Sequence, residues 1–303
     1  MTVYRFFQKA KEHKMCMPAT DKTIPSLIKW TGSKRKQAPL IAREAKSYNR
    51  YFEPFLGGGA MLFLFAHEGA VASDIYKPLI ELWKLIQSRP EEVISDYTEK
   101  WNTLNVEYKD LQLNHIKNAD GLPKVFYDCR TRFNKTHNPL DLNFIMRTCV
   151  NGIVRFNGEG EFNNSFHLSR QGMKPELFAK NVRIWHERIK GVDFECQSYE
   201  ETLAQAKEGD FVYFDPPYAD SHNRYIKDLD LQAFFTELDK LNSKNISWAL
   251  SFDGSRAGTN YFSDMPKELY KRKLSLSNGN SAVSKILNAK QEEVTESLYL
   301  NYN

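Results

Sequence analysis

The sequence predicts an α/β protein: a mostly parallel sheet with flanking helices, split by an insertion of mixed helical and hairpin character. Three observations lead there. Short apolar runs alternate with helical patterns over residues 51–87 and resume at Phe194, the rhythm of βα units. Two of these runs end in sharp turn chemistry, Leu56-Gly57-Gly58-Gly59 and Asp215-Pro216-Pro217-Tyr218. Between them, from about 90 to 200, the rhythm is lost and basic residues accumulate.

Tyr51 to Phe55 reads as a strand running into the glycine turn. Ala60 to His67 is apolar without breakers and predicts a helix. Gly69 to Asp74 predicts a second strand ending in an acid. Lys77 to Gln87 is helical, with Leu79, Leu82, Trp83 and Ile86 on one face. Glu91 to Leu113 follows as a helix through Val93, Tyr97, Trp101 and Leu104, and Val125 to Phe133 as another. Phe144 to Phe156 reads as β-like, interrupted by Asn151-Gly152. Gly158-Glu159-Gly160 is a turn, and Phe162 to Phe166 its returning strand. Phe211 to Phe214 is a fully apolar strand, Leu229 to Leu241 a helix and Ile246 to Phe252 a buried strand. Lys273 to Leu276 and Ser297 to Tyr302 are expected to close the sheet.

Composition bounds the function classes. The chain has 303 residues, 41% hydrophobic and 26% charged, as ordinary globular proteins do. The longest nearly apolar run, Pro54 to Ala66, is too short and glycine-rich to cross a bilayer. Residues 1–20 lack the apolar core of a secretory signal, so a cytoplasmic protein is expected. Cys16, Cys129, Cys149 and Cys196 are scattered, which predicts reduced thiols and neither a metal site nor a disulfide framework. Net charge is only +4, but Arg130 to Lys190 holds eleven Lys or Arg against five Asp or Glu. A basic segment in a near-neutral chain is the footprint of a phosphate-binding surface, or simply a solvated basic face.

Two motifs carry chemistry. Glycines directly after a strand let the backbone approach a ligand closely, and an acid ending the next strand can accept from both ribose hydroxyls. Gly57 to Gly59 with Asp74 therefore predict an adenosine-containing ligand, the alternative being a structural turn. No phosphate-loop lysine accompanies them, which argues against nucleotide-triphosphate chemistry. In Asp215-Pro216-Pro217-Tyr218 the prolines remove two donors and stiffen the chain, leaving carbonyls and a carboxylate as acceptors at fixed spacing. Two such acceptors suit an –NH₂ group, and Tyr218 offers a face for a planar base. Both motifs follow strands of one parallel sheet, so both are expected beyond the strand C-termini.

With a Phe-x-Gly-x-Gly loop before it, Asp-Pro-Pro-Tyr resembles the pattern of amino-methyltransferases. The order of cofactor loop, insertion and Asp-Pro-Pro-Tyr resembles the Dam-type (D12 class, alpha group) DNA adenine-N6 methyltransferases. Lys29-Trp30-Thr31-Gly32-Ser33-Lys34 is similar to that family's N-terminal element, and Asn151 to Asn157 with Gly160 to Asn163 to its DNA-reading hairpin. Ser275 to Leu287 resembles its C-terminal stretch. The resemblance runs from about residue 27 to the end. It implies a Rossmann-like methyltransferase sheet and transfer of a methyl group from S-adenosyl-L-methionine to N6 of a flipped-out adenine in double-stranded DNA. Carried over by position, Trp30, Lys34, Phe55, Gly57, Gly59, Asp74 and Asp215 would contact or border the cofactor, and Asp215, Pro216, Pro217 and Tyr218 would hold the adenine. Arg147, Asn151, Arg155, Asn157 and Asn163 would meet DNA, Arg155 by reading a base and Arg147 by clamping phosphate.

The implied domains are 1–80 with 190–303 for catalysis and 81–189 for target recognition. A restriction–modification setting implies a cognate restriction enzyme as a protein partner, and neither metal nor membrane is expected. The hairpin departs from the family twice. Val150 replaces an aromatic residue of the GATC-modifying members, and Ser165 stands where Phe-Asn-x-Pro-Phe-Gly has proline. GATC recognition therefore does not follow from the resemblance. Amino-methyltransferases of RNA or of a protein glutamine share the Pro-Pro-Tyr logic but need no basic hairpin insertion. A DNA-binding protein without catalysis would not need both acids intact.

Overall fold

Tyr51, Phe52 and Glu53 are buried on both sides, which a strand tolerates only in the middle of a covered sheet. A computed structural model describes residues 16–20, 22–112, 115–116, 121–216, 229–256, 259–260, 265–277 and 295–303. The elements run α1 (Ala38–Glu44), β1 (Tyr51–Glu53), α2 (Ala60–Phe65), β2 (Val71–Asp74), α3 (Lys77–Ser88), α4 (Pro90–Asp110), α5 (Lys124–Thr136) and α6 (Pro139–Thr148). They continue α7 (Pro175–Arg188), β3 (Asp193–Cys196), α8 (Tyr199–Ala204), β4 (Phe211–Phe214), α9 (Leu231–Ser243), β5 (Ser247–Arg256), β6 (Thr259–Asn260), β7 (Arg272–Ser277) and β8 (Thr295–Leu300).

The sheet order is β3-β2-β1-β4-β5-β8-β7, with β6 paired to β5. The five strands from β3 to β5 are parallel, and β8 runs antiparallel between β5 and β7. The chain builds outward from β1 to β3 in one direction, then returns to β4 and builds in the other. The reversal lies between β1 and β4, where open α/β sheets leave a crevice beyond their carboxyl ends. This is the Rossmann-like, mostly parallel sheet that the sequence predicts.

Alternation along β4 separates two cores. Phe211 and Tyr213 face one core, with α1, α2 and α3; Val212 and Phe214 face the other, with Phe234 and Leu238 of α9. The first core continues without a break into the insertion, where Tyr97, Phe126, Phe133, Phe144 and Ile145 are fully buried or nearly so. Residues near 80, the expected domain boundary, fall inside α3, whose side chains pack on both the sheet and α6.

One expectation fails. Phe144 to Thr148 is not β-like but the last half of α6. Asn138 Oδ1 accepts from the backbone of Leu140 and Asp141, and Pro139 sits at the first helical position, so the start signal lay upstream of the apolar run. Every residue from Asp141 to Thr148 is buried, which erases the polar face that marks a helix. Helix α7 was missed altogether. The predicted C-terminal stretch from Ser275 to Leu287 is described only as far as Ser277. No helix of the described residues is long and apolar enough to cross a membrane.

Candidate active site and nucleic-acid face

Strand β1 ends at Glu53, and the chain turns through Leu56 to Gly59 into α2. Gly57 and Gly59 have φ of 46° and 64°, the left-handed region that side chains disfavour. The space is closed as well: a Cβ on Gly57 would lie 2.9 Å from Trp30 Cδ1, and one on Gly59 2.8 Å from Trp83 Cζ2. Trp83 Nε1 donates to the Gly57 carbonyl at 3.2 Å, fixing the turn from below. Asp74, at the end of β2, accepts from the Gly57 N–H at 3.2 Å and from the Tyr76 N–H at 3.0 Å. Burial raises its pKa, while these bonds oppose the rise.

Strand β4 ends beside β1 and delivers Asp215 and Pro216 to the same place. Lys34, only 7% exposed, places Nζ 2.7 Å from Asp215 Oδ1. Glu53, on β1, is 3% exposed and accepts from the Tyr51 hydroxyl at 2.8 Å. Burial pushes its carboxyl well above the usual range, and the nearby Asp215 charge adds to the rise.

These groups line one cleft of about 360 Å³ at the carboxyl edge of the sheet. Trp30 to Lys34 form one wall, the glycine turn the floor, and Asp74, Ile75 and Tyr76 the far end. Tyr199, stacked on Phe55 at 5.5 Å, closes another side. Trp30, Lys34, Phe55, Gly57, Gly59, Asp74, Asp215 and Pro216 are thus brought together; Pro217 and Tyr218 lie outside the described residues. Sequence reasoning missed Glu53, Tyr76, Phe156 and Tyr199. Glu53 had a signal, an acid at the last position of a strand before a glycine turn. The other three reach the cleft through tertiary packing alone.

Phe156 comes from the hairpin of the insertion. It meets Tyr76 edge-on at 5.4 Å, and Tyr76 in turn lies 5.7 Å from Trp30. The hairpin is narrow, with Asn157 N–H to Glu161 O and Asn163 N–H to Arg155 O, and single bridges at Phe156–Phe162 and Cys149–Phe166. Asn134 clamps Phe162 through both its amide groups, and Asn164 holds the Val150 and Ile153 carbonyls.

The expected DNA-facing residues differ in their surroundings. Arg155 is exposed, its Nε donating to Asn163 Oδ1 at 2.9 Å. Asn151 is exposed in a left-handed conformation at φ 59°. Asn157 has its side chain spent on the turn, accepting from Glu159 and Glu161 N–H and donating to Glu161 Oε2. Arg147 is only 6% exposed, stacked over Phe178, rather than on the open surface expected of it.

The model of the D12 class N6 adenine-specific DNA methyltransferases matches residues 30–278 of the chain. A type II methyltransferase of Lactococcus lactis subsp. cremoris is 27% identical over 294 residues, covering 90% of this chain and 94% of that protein. A DNA adenine methylase of Serratia marcescens is 28% identical over 198 residues, 64% of this chain and 67% of that protein. A type II methyltransferase of Methanocaldococcus jannaschii is 29% identical over 251 residues, 73% and 82% of the two chains.

Proposed function

From the premise that the chain belongs to the D12 class of N6 adenine-specific DNA methyltransferases, we propose that it methylates an adenine extruded from double-stranded DNA, with S-adenosylmethionine as donor. Membership makes it an enzyme of DNA adenine methylation; the donor, the extruded base and the residue roles are this proposal. One observation carries it: the glycine turn with Asp74 and the Asp215-Pro216 strand end open into a single cleft at the switch point of the sheet.

The cleft fits the donor. Gly57 and Gly59 leave no side chain between the turn and a ligand. Each Asp74 oxygen accepts one backbone N–H and keeps a lone pair for a ribose hydroxyl. Ile75, 49% exposed at the cleft wall, offers apolar surface to a purine. S-adenosylmethionine supplies a methyl group on a positively charged sulfur.

Asp215 and the carbonyl of Pro216 accept the two hydrogens of the adenine amine and aim its lone pair along the line of displacement. Lys34 fixes the Asp215 carboxylate through the 2.7 Å ion pair. Orientation of this kind supplies much of the acceleration, since effective molarities reach on the order of 10⁵ M or more. A base inside a duplex cannot enter the cleft, so the target is extruded at about a few kcal/mol. Residues 81–189 act as the target-recognition domain, with Arg155 as base reader.

The test is direct. The protein and an Asp215→Ala variant are incubated with S-adenosylmethionine and unmethylated genomic DNA, which is then digested to nucleosides for mass spectrometry. N6-methyladenine from the intact protein alone is expected, with DNA binding retained in the variant. A variant with near-normal turnover would refute the role given to Asp215.

A further inference from the structure

Four cations meet at the base of the hairpin. Arg147, at the end of α6, lies under the surface with its guanidinium 4.8 Å from the Phe178 ring and 5.9 Å from the Tyr97 ring. Its Nε donates to Asn143 Oδ1 at 3.3 Å. Its Nη2 and the Nδ2 of the same Asn143 are buried without a partner among the described residues. Lys29, Arg35 and Arg170 are exposed. Burial and then the charges of Arg147, Arg35 and Arg170 lower the Lys29 pKa, which shows that the four groups feel one another. Among the described residues none of them forms an ion pair with a carboxylate.

Such an arrangement is costly as it stands. A buried guanidinium nitrogen without a partner forfeits its hydration, and gathered like charges repel. A single anion relieves both, and a phosphate has enough oxygens to meet several forked or pointed donors at once. Surface lysines alone would not argue for a site; the buried, unpaired nitrogen of Arg147 does.

Position says which anion. Lys29 lies over the left-handed Asn151–Gly152 turn, where a Cβ on Gly152 would sit 3.7 Å from Lys29 Cδ. Lys29 also immediately precedes Trp30, a wall of the cleft. The cluster therefore sits between the cleft and the recognition hairpin.

Resting on the DNA reading above, we infer that Lys29, Arg35, Arg147 and Arg170 bind one phosphodiester of the target strand beside the extruded adenine. Arg147 forms the floor of this site and the other three its rim. The phosphate is held where the backbone turns as the base leaves the stack, so the site stabilises the extruded nucleotide.

Methylphosphonate scanning tests the inference. Once the methylated site is mapped, single phosphates around it are replaced by neutral methylphosphonates. Binding to protein saturated with S-adenosylhomocysteine is then measured by fluorescence anisotropy for the intact chain and for Lys29→Met, Arg170→Met and Arg147→Met. One phosphate beside the target adenine is expected to weaken the intact protein about tenfold or more when neutralised. The same neutralisation should cost little further in each variant. Lys29 and Arg170 are exposed, so their variants carry the test even where Arg147→Met unfolds. If every phosphate costs the same in the variants as in the intact protein, water or nothing fills the site and the inference falls. A protein that forms N6-methyladenine without this coupling keeps the reaction and loses the site. One that forms none, yet couples to a phosphate of an arbitrary duplex through these residues, keeps the cation site and loses the reaction.

Discussion

Replacing Gly59 by alanine should damage folding, while the same change at Gly57 should damage ligand binding. Both residues are left-handed, which costs an alanine about 1–2 kcal/mol. The neighbours then separate them. The new methyl on Gly59 would meet Trp83 Cζ2 at 2.8 Å. Trp83 cannot give way: it is fully buried, lies 4.9 Å from Trp185, stacks on Phe194 and donates its indole N–H to Gly57. Overpacking of this kind adds about 1–3 kcal/mol, so Gly59→Ala should lose about 2–5 kcal/mol in all. At Gly57 the methyl meets Trp30 Cδ1 at 2.9 Å, but Trp30 is half-exposed at the cleft wall and can move aside. Its shift narrows the cleft, and S-adenosylhomocysteine affinity should fall about tenfold or more, equivalent to about 1.4 kcal/mol. Urea unfolding and calorimetric titration read the two effects separately. Gly59→Ala with unchanged stability, or Gly57→Ala with unchanged affinity, would refute the account of the turn.

Asp74→Ala should weaken cofactor binding, because it removes the ribose acceptors and the bond that ties Gly57 to β2; unchanged affinity by calorimetry would argue against that role. For Arg155→Ala, sequencing of methylated sites should show relaxed preference at one base position, at a cost of roughly 1–3 kcal/mol, whereas equal loss on all sequences would make Arg155 a phosphate contact. Asp141 is 1% exposed and paired with Arg132 and Lys100. Burial alone would raise its pKa, but these two cations outweigh it and hold the carboxyl below its ordinary value. A depressed folded pKa means stabilisation that is present above the unfolded value of about 3.9 and lost as pH falls through the folded one. Asp141→Asn should therefore cost about 3–5 kcal/mol near neutral pH, and the gap between variant and parent should close in acid-unfolding curves below about pH 4. A gap independent of pH would remove the ion pairs from the explanation.

What the sequence revealed follows from what each residue had to satisfy locally. The strands of the catalytic sheet were legible because Phe211 to Phe214 and Tyr51 to Glu53 are buried on both faces and end at glycine or proline. The glycine turn and Asp74 were legible together because strand, turn, helix and strand fix their spacing. The same burial hid α6. Once Phe144 to Thr148 are all covered, a helix and a buried strand look alike, and only the Asn138-Pro139 start distinguishes them. The hairpin was legible as a turn but not as a set of contacts. Asn157 looked like a reader of bases and instead stitches its own turn, while Asn134, twenty-eight residues from Phe162, holds the hairpin in place.

The buried position of Phe156 bears on how recognition meets chemistry. Its neighbours Arg155 and Asn157 point the hairpin outward, yet Phe156 itself packs on Tyr76, two residues beyond Asp74. Tyr76 in turn reaches Trp30, and Trp30 rests against the glycine turn. A side chain of the insertion is thus part of the wall that shapes the cleft. Because aromatic side chains packed at 5–6 Å cannot shift singly without opening voids, a displacement of the hairpin must be felt at Trp30, and a ligand that orders Trp30 must steady the hairpin. The order of motifs along the chain, with the insertion between the two halves of the site, has this contact as its structural consequence.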